Sequence, residues 1–408
     1  MKQTNRIVAS AAVLALAGAG MAQHAGQDEH MHDHAEAHAH ESAAGRGARL
    51  LVADTADNVV RVIDVDSGAV VGSFTVPGET GGNLIAAPGG QYGVVTHRDA
   101  NRVSIIHSGL TAEDHGDHAH LIQRAPYVLA TMNVGRQPTH LATGEGKVII
   151  FNDQDGAIAL LDEQLFGLTL GYDLMETATP DHGAALAVGD FVLAGFLDGA
   201  RVDVFAADGS VVESQDGCPG LHGAIAVGET AVFGCSDGVL LGELHGDHFH
   251  WHHLPNPVGA AEDDRVGTFY GQVDGLAIGN LGSGLALIDV AGQAIAQVSL
   301  PAAPVSAAVA GDLVVALTED GGLVLLEATG GQLGEIDVID GLVGYDPAAG
   351  RPDVTALGGS IFVTDPVAGS IHVLHAGHDG LELAGVIEVP GNPGPIAPLM
   401  VEGHFEWH

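Results

Sequence analysis

The chain has 408 residues, of which 46% are hydrophobic, and its 13 Lys and Arg stand against 52 Asp and Glu for a formal net charge of −39. The hydrophobic content excludes a wholly disordered acidic protein. The acidic surface repels nucleic acid and anionic membranes and concentrates cations, so we expect no nucleic-acid partner.

Residues 1–22 have the form of a secretory signal peptide. Lys2 and Arg6 precede an apolar run from Ile7 to Ala19, and a small-residue site ends at Ala22. The run is too short to cross a membrane, and no second such run follows. We therefore expect cleavage after about Ala22, a periplasmic mature protein and no membrane insertion.

Residues 23–48 are rich in histidine and acidic side chains and lack core periodicity. Close imidazoles can chelate a metal in many interchangeable ways, which favours a flexible metal-capturing arm over a merely solubilising tail. The histidines of this arm are His24, His30, His32, His34, His38 and His40.

Residues 49–408 contain a recurring unit of about 40 residues, as in 139–162, 181–209, 221–244 and 305–331. Each unit has a small-residue strand, a Gly turn, a Val/Ile/Phe strand, an Asp-Gly or similar turn, an apolar strand and an edge strand. Four short antiparallel strands per unit indicate a blade of a β-propeller. The fold class is therefore all-β, with 49–408 as a single propeller domain.

The ends of the repeat region predict how the ring closes. Residues 49–78 supply only the last three strands of a blade, and residues 394–405 resemble the missing inner strand. Pairing them gives eight blades and removes the exposed sheet edges. Seven blades is the alternative, because the unit that starts near Asp264 is irregular.

The hexapeptide HGDHxH occurs twice, at 115–120 and at 245–250. Each copy lies between the third and fourth strands of its blade, and the first sits in a connection enlarged to about 18 residues, which is long for a loop without a function. Period 2 puts the last two histidines on one face, and the glycine lets the first fold back towards them. Three imidazoles with an open fourth position suit Zn²⁺. The candidate ligands are His115, His118 and His120 in the first triad and His245, His248 and His250 in the second.

A third group of histidines recurs at one position of successive blades. His140, His182 and His222 each begin an innermost strand, so all three face one mouth of the central channel, and His97 points towards the same mouth. Channel mouths are where propellers usually place their sites. The recurrence is equally consistent with histidines that serve packing or a hydrogen bond. The sequence therefore does not decide between a metal site and a structural role.

Cys218 and Cys235 are the two cysteines of the chain. In an oxidising compartment such a pair favours a disulfide, and a spacing of sixteen residues without a third thiolate is a poor metal signature. We expect the bridge to staple the strand of His222 to its neighbour.

No nucleophile elbow, phosphate-binding loop, zinc-protease motif or haem-attachment motif is present in the sequence. The acidic residues lie mainly in turns, where Asp-Gly serves the hairpin. We therefore expect a protein that is not an enzyme. A propeller oxidoreductase with bound quinone or copper is one alternative, since both occur on such scaffolds.

The HGDHxH copies resemble the histidine-triad motif of zinc-scavenging bacterial surface proteins. Together with the His-rich arm on a secreted propeller, the first copy resembles the AztD-type periplasmic zinc metallochaperones. This resemblance implies a carrier of Zn²⁺ that hands the ion to the zinc-specific solute-binding protein of an ABC importer, and we expect the carrier to be a monomer. It implies His115, His118 and His120 as zinc ligands and His30 to His40 as the capturing arm, but it covers neither the second triad nor the channel histidines. A passive zinc buffer or scaffold is the other alternative.

Imidazole ligands make zinc binding depend on pH. Protonated rings cannot ligate, so the affinity is expected to fall as the pH drops through about 6.5, the ordinary pKa of histidine.

Overall fold

The computed structural model describes residues 47–78, 83–116, 118–261, 264–342 and 350–401. The predicted signal peptide at 1–22 and the arm up to residue 46 lie outside the described residues. Within the part described, the regular structure is β-strand except for one 3-10 turn at Glu163–Leu165. No helix among these residues has the length and hydrophobicity that a membrane span requires.

The strands follow one another along the whole described chain. The first nine are β1 (Arg49–Asp54), β2 (Val59–Asp64), β3 (Val70–Thr75), β4 (Leu84–Ala86), β5 (Tyr92–His97), β6 (Arg102–His107), β7 (Leu110–Asp114), β8 (Ala119–Gln123) and β9 (Tyr127–Met132). The next twelve are β10 (Pro138–Gly144), β11 (Lys147–Asn152), β12 (Ala157–Asp162), β13 (Asp173–Glu176), β14 (Gly183–Val188), β15 (Phe191–Phe196), β16 (Arg201–Phe205), β17 (Val211–Asp216), β18 (Ala224–Val227), β19 (Thr230–Cys235), β20 (Gly238–His245) and β21 (His248–Pro255). The last thirteen are β22 (Phe269–Val273), β23 (Leu276–Leu281), β24 (Gly284–Asp289), β25 (Ala294–Ser299), β26 (Pro304–Ala310), β27 (Leu313–Thr318), β28 (Gly322–Glu327), β29 (Gln332–Asp337), β30 (Val354–Leu357), β31 (Ser360–Asp365), β32 (Ser370–Gly377), β33 (Gly380–Glu388) and β34 (Pro393–Leu399).

These strands form eight four-stranded antiparallel sheets, which confirms the eight-bladed propeller and excludes the seven-bladed alternative. Blade 1 has the order β3-β2-β1-β34, and blade 2 has the order β4-β5-β6-β9. Blades 3 to 8 each take four consecutive strands, from β10–β13 to β30–β33. In blade 1 the C-terminal strand pairs with the first strand, with Arg49 opposite Leu399 and Val52 opposite Ile396. The predicted closure of the ring across the chain ends is therefore confirmed.

The enlarged connection in blade 2 is an additional hairpin. Strands β7 and β8 pair with each other as a separate two-stranded sheet between the third and fourth strands of the blade. The polar residues of the connection do not show the alternation that predicts a pair of strands. The apolar residues Leu110 and Ala119 are nevertheless buried and hold the hairpin against the blade. The first HGDHxH copy is thereby carried at the tip of a hairpin.

The burial of each strand follows its position in its blade. The second strands are buried on both faces, as in β5 and β19, because they lie between two neighbouring blades. The fourth strands alternate exposed and half-buried residues, as β17 does, which is the period-2 pattern of an edge strand. The hydrophobic clusters join adjacent blades: Leu186 and Leu193 of blade 4 pack with Phe233 and Leu240 of blade 5. Burying each such side chain contributes about 1.5–3 kcal/mol, and this sheet-on-sheet packing holds the inner strands in a ring.

Candidate metal centres

The inner ends of blades 3, 4 and 5 bring three imidazoles together. His140 lies in β10, His182 directly precedes β14, and His222 lies two residues before β18. Their ring centroids are 4.8 Å (His140 to His182), 5.2 Å (His140 to His222) and 5.2 Å (His182 to His222) apart. One nitrogen of each ring lies within 4.8 Å of the other two, and His140 Nε2 is 3.1 Å from His182 Nε2. We call these three residues the channel triad.

Hydrogen bonds on the far side of two rings orient the channel triad. His182 Nδ1 donates to Asp153 Oδ2 at 2.9 Å, and His222 Nδ1 donates to the carbonyl oxygen of Gly267 at 2.5 Å. Because Nδ1 of each ring carries the hydrogen that is donated to these acceptors, the Nε2 atoms of both rings keep their lone pairs. A carboxylate or carbonyl behind a histidine is the usual arrangement behind a metal ligand, since it fixes the ring and its tautomer.

Two members of the channel triad, His140 and His222, are held in the neutral form that binds metals. Burial, together with the proximity of His182 and His222, lowers the pKa of His140 to about 4. Burial is also the largest cause of the lowered pKa of His222. At neutral pH both rings are therefore uncharged, so an incoming cation does not have to displace a proton from either.

Asp153 lies between His182 of the channel triad and the side chain of Arg98. This residue is 8% exposed, and its Oδ2 accepts hydrogen bonds from His182, from Thr139 Oγ1 at 2.8 Å and from Arg98 Nη2 at 3.2 Å. Burial by itself raises the pKa of this carboxyl, but the bonds from His182, Thr139 and Arg98 outweigh burial and lower it. Asp153 therefore stays ionised behind the ring of His182. The sequence did not single it out, because it stands in a turn with several acidic residues.

An open depression of about 800 Å³ reaches His182 of the channel triad from the surface. Its lining includes Arg98, Asp153, Asp181, His182 and Asp198. The side chain of His182 is 29% exposed. An ion or an incoming ligand can therefore reach the ring of His182 from this side.

His97 does not join the channel triad. Its side chain is fully buried within blade 2, and its Nε2 lies 2.8 Å from Ser104 Oγ, which in turn lies 2.9 Å from Thr131 Oγ1. Among the residues that the structure describes, the grouped imidazoles of the channel are those of His140, His182 and His222. The position of His97 at the end of β5 directs it into the blade.

The first HGDHxH copy forms the tip of the β7–β8 hairpin. The backbone N–H of His115 donates to the carbonyl oxygen of His118 at 2.9 Å, which closes the turn. The ring centroids lie 5.3 Å (His115 to His118), 4.8 Å (His115 to His120) and 5.0 Å (His118 to His120) apart. The three rings thus share one side of the hairpin tip. Asp117 of this copy lies outside the described residues.

The second HGDHxH copy forms the turn between β20 and β21. His245 stands opposite His248, and the ring centroids of His245 and His250 lie 4.4 Å apart. His248 Nε2 lies 3.1 Å from His250 Nε2. Carboxylates lie behind two rings: Asp247 Oδ1 is 3.3 Å from His248 Nδ1, and Glu243 Oε1 is 3.3 Å from His245 Nε2.

The glycine of each hexapeptide makes the turn possible. Gly116 has a φ of 93° and Gly246 a φ of 68°, which residues with a side chain adopt rarely. The arm histidines at 24, 30, 32, 34, 38 and 40 lie outside the described residues.

Cys218 and Cys235 form the predicted disulfide. The bridge joins the segment before His222 to the end of β19. The backbone N–H of His222 donates to the carbonyl oxygen of Gly234 at 2.9 Å, directly beside the bridge. The disulfide therefore supports the position of His222 in the channel triad, as expected.

The fold and these groups define an eight-bladed β-propeller with candidate metal sites built from histidine. The chain is similar to the zinc chaperone AztD of Citrobacter koseri, with 28% identity over 382 residues that cover 88% of this chain and 89% of the relative. Crystal structures of Citrobacter koseri AztD, including an apo form, align with a TM-score of 0.78 at 26% identity over 88% of this chain and 99% of theirs. The resemblance to AztD predicted from the sequence is confirmed.

Other solved propellers share the fold alone. The dihydro-heme d1 dehydrogenase NirN aligns with a TM-score of 0.62 at 15% identity over 86% of this chain and 74% of the NirN chain. No protein-family model matches the sequence. Since a dehydrogenase shares the architecture, the fold does not distinguish a binding protein from an enzyme. The function therefore has to be inferred from the sites.

Proposed function

We propose that this protein is a periplasmic zinc metallochaperone that binds Zn²⁺ through its histidine clusters and passes the ion to the zinc solute-binding protein of an ABC importer. On this proposal it is a monomeric carrier without catalytic activity, and its 1–22 segment is a signal peptide. The observation that carries the proposal is the channel triad. Three convergent imidazoles, two of them neutral through burial and two held by acceptors behind the ring, match the ligand set of an open zinc site.

The channel triad supports transfer as well as binding. Three protein ligands leave one coordination position of a tetrahedral zinc ion open. A ligand of an acceptor protein can therefore bind the ion before the histidines dissociate from it. Imidazole also exchanges zinc more readily than thiolate does. The depression beside His182 offers the acceptor a route to that position. The two exposed HGDHxH triads and the arm at 23–48 are proposed to capture zinc at the surface.

Transfer and passive buffering differ in how the rate depends on the acceptor. The zinc-loaded protein is mixed either with a zinc solute-binding protein or with a chelator that takes only dissociated zinc. For a chaperone, the transfer rate is expected to rise with acceptor concentration and to exceed the rate of dissociation measured with the chelator. A rate equal to that of dissociation at every acceptor concentration would instead identify a buffer.

Replacing Asp153 with alanine is expected to weaken zinc binding at the channel triad by roughly 10- to 100-fold, the usual loss when the partner behind a metal-binding histidine is removed. The reason is that Asp153 fixes the tautomer and direction of the His182 ring. Competition with a chelator of known affinity measures the change. Asp155→Ala is the matched control, because that carboxylate lies in the same turn but contacts Arg136. Equal losses in both variants would show that the turn, and not the contact to His182, matters.

A further inference from the structure

A second group of potential ligands lies at one end of blade 5, outside the three histidine triads. Cys235 ends β19, Asp237 stands in the turn that follows, and His253 lies on β21. One ligand atom of each lies within 4.8 Å of the other two, and His253 Nε2 is 2.9 Å from Asp237 Oδ1. Sulfur, carboxylate and imidazole in one place are the ligand types that zinc binds.

The disulfide keeps this group from binding metal. The thiolate, and not the disulfide sulfur, is the strong metal ligand, and Cys235 is bonded to Cys218. Both cysteines are fully buried, whereas the side chains of His253 and Asp237 are 33% and 53% exposed. The oxidised protein thus presents an imidazole and a carboxylate next to a blocked sulfur.

We propose that reduction of the Cys218–Cys235 disulfide creates a zinc site from the two thiolates, His253 and Asp237. A dithiol gives up two electrons and two protons to the disulfide and becomes a cyclic disulfide, while Cys218 and Cys235 become thiols. Zn²⁺ then displaces the two thiol protons and binds both sulfurs, His253 Nε2 and an oxygen of Asp237. Cys218 lies outside the group of three, and its thiol, freed beside Cys235 by reduction, is proposed as the fourth ligand.

The surroundings of Cys218 give a reductant access. Cys218 is buried, but Gly217 and Pro219 on either side of it are exposed and belong to no strand. Access to the disulfide requires a displacement of this short segment, which breaks its backbone hydrogen bonds to Ala200 and Ser236. Reoxidation removes both thiolates and releases the zinc. The site uses none of the ligands of the channel triad.

Cobalt(II) tests the proposal because thiolate ligands give it a charge-transfer absorption in the near ultraviolet that imidazole and carboxylate do not. The full-length protein is reduced with a water-soluble phosphine, which takes the oxygen atom of a water molecule to become the phosphine oxide while the two protons of that water convert the sulfurs to thiols. The reduced protein is then titrated with cobalt under anaerobic conditions. We expect one equivalent with the thiolate band in the reduced protein, none in the oxidised protein, and loss of the band when zinc is added. His253→Ala and Asp237→Ala are expected to weaken this binding by about tenfold or more. The double variant Cys218→Ser with Cys235→Ser is expected to abolish the band.

His252→Ala is the matched control. His252 precedes His253 on β21 and lies on the other face of the strand, where it lines a cavity with Glu243. A folded reduced protein without the thiolate band, or a band equally affected by His252→Ala and His253→Ala, would overturn the proposal. Loss of the β-sheet circular dichroism on reduction would overturn it too, since the site requires a folded reduced protein. Zinc binding and transfer by the oxidised protein are measured separately, so this result and the test of the proposed function stay distinct.

Discussion

Replacing His182 with alanine is expected to lower the affinity of the tightest zinc site by more than about 100-fold, or about 2.8 kcal/mol of binding free energy. His182 lies between His140 and Asp153: its Nε2 is 3.1 Å from His140 Nε2 and its Nδ1 is 2.9 Å from Asp153 Oδ2. The substitution therefore removes a ligand and also leaves the charge of Asp153 without the imidazole that it orients. Isothermal titration against a competing chelator measures the change.

Variants of the two exposed triads provide the comparison for His182→Ala. His118→Ala with His120→Ala, and His248→Ala with His250→Ala, are expected to lower the number of zinc ions bound and to leave the tightest affinity unchanged. The physical reason is exposure: the side chains of His245 and His248 are 46% and 55% exposed, so water competes for the ion there. Loss of the tightest affinity in either double variant, with His182→Ala unaffected, would assign the main site to that triad.

The channel triad is expected to keep its zinc affinity in acid better than ordinary imidazoles do. A proton and a zinc ion compete for the same nitrogen, so affinity falls only where the pH approaches the pKa of the ligand. Three imidazoles with the ordinary pKa of about 6.5 would lose roughly a thousandfold in affinity between about pH 7.5 and pH 5.5. His140 has a pKa of about 4 and stays neutral over this range, and burial also lowers the pKa of His222. Because His140 does not compete for protons here, the loss of zinc affinity is expected to be less than about a hundredfold.

This pH dependence is measured in a variant that retains the channel triad and carries both double substitutions of the exposed triads. Its zinc affinity is determined at several pH values between about pH 7.5 and pH 5.5. A thousandfold loss would contradict the assignment of buried neutral ligands. The structure thus revises the expectation of a sharp fall near pH 6.5 for this site, because burial favours the neutral ring.

The local sequence predicted much of the architecture. Strand alternation and Asp-Gly turns act over a few residues, and their recurrence defines the blades. The local sequence also predicted the HGDHxH triads, since six consecutive residues contain all three candidate ligands and the glycine of the turn. The hairpin β7–β8 was not predicted, because its polar tip hides the alternation and its stability comes from burying Leu110 and Ala119 against the blade.

The sequence by itself determined the repeated blades, the closure of the ring by the C-terminal segment placed at 394–405 and the equivalence of His140, His182 and His222, because these follow from periodicity along the chain. Only the tertiary structure decided which partners lie behind those rings. Asp153 and the carbonyl of Gly267 come from neighbouring blades, and His97 turned out to face Ser104 inside its own blade. Likewise, Cys235 meets His253 through the packing of β19 beside β20 and the register of β20 with β21. Such contacts depend on strand register within a blade and on how neighbouring blades pack around the ring, which spacing in the sequence does not encode.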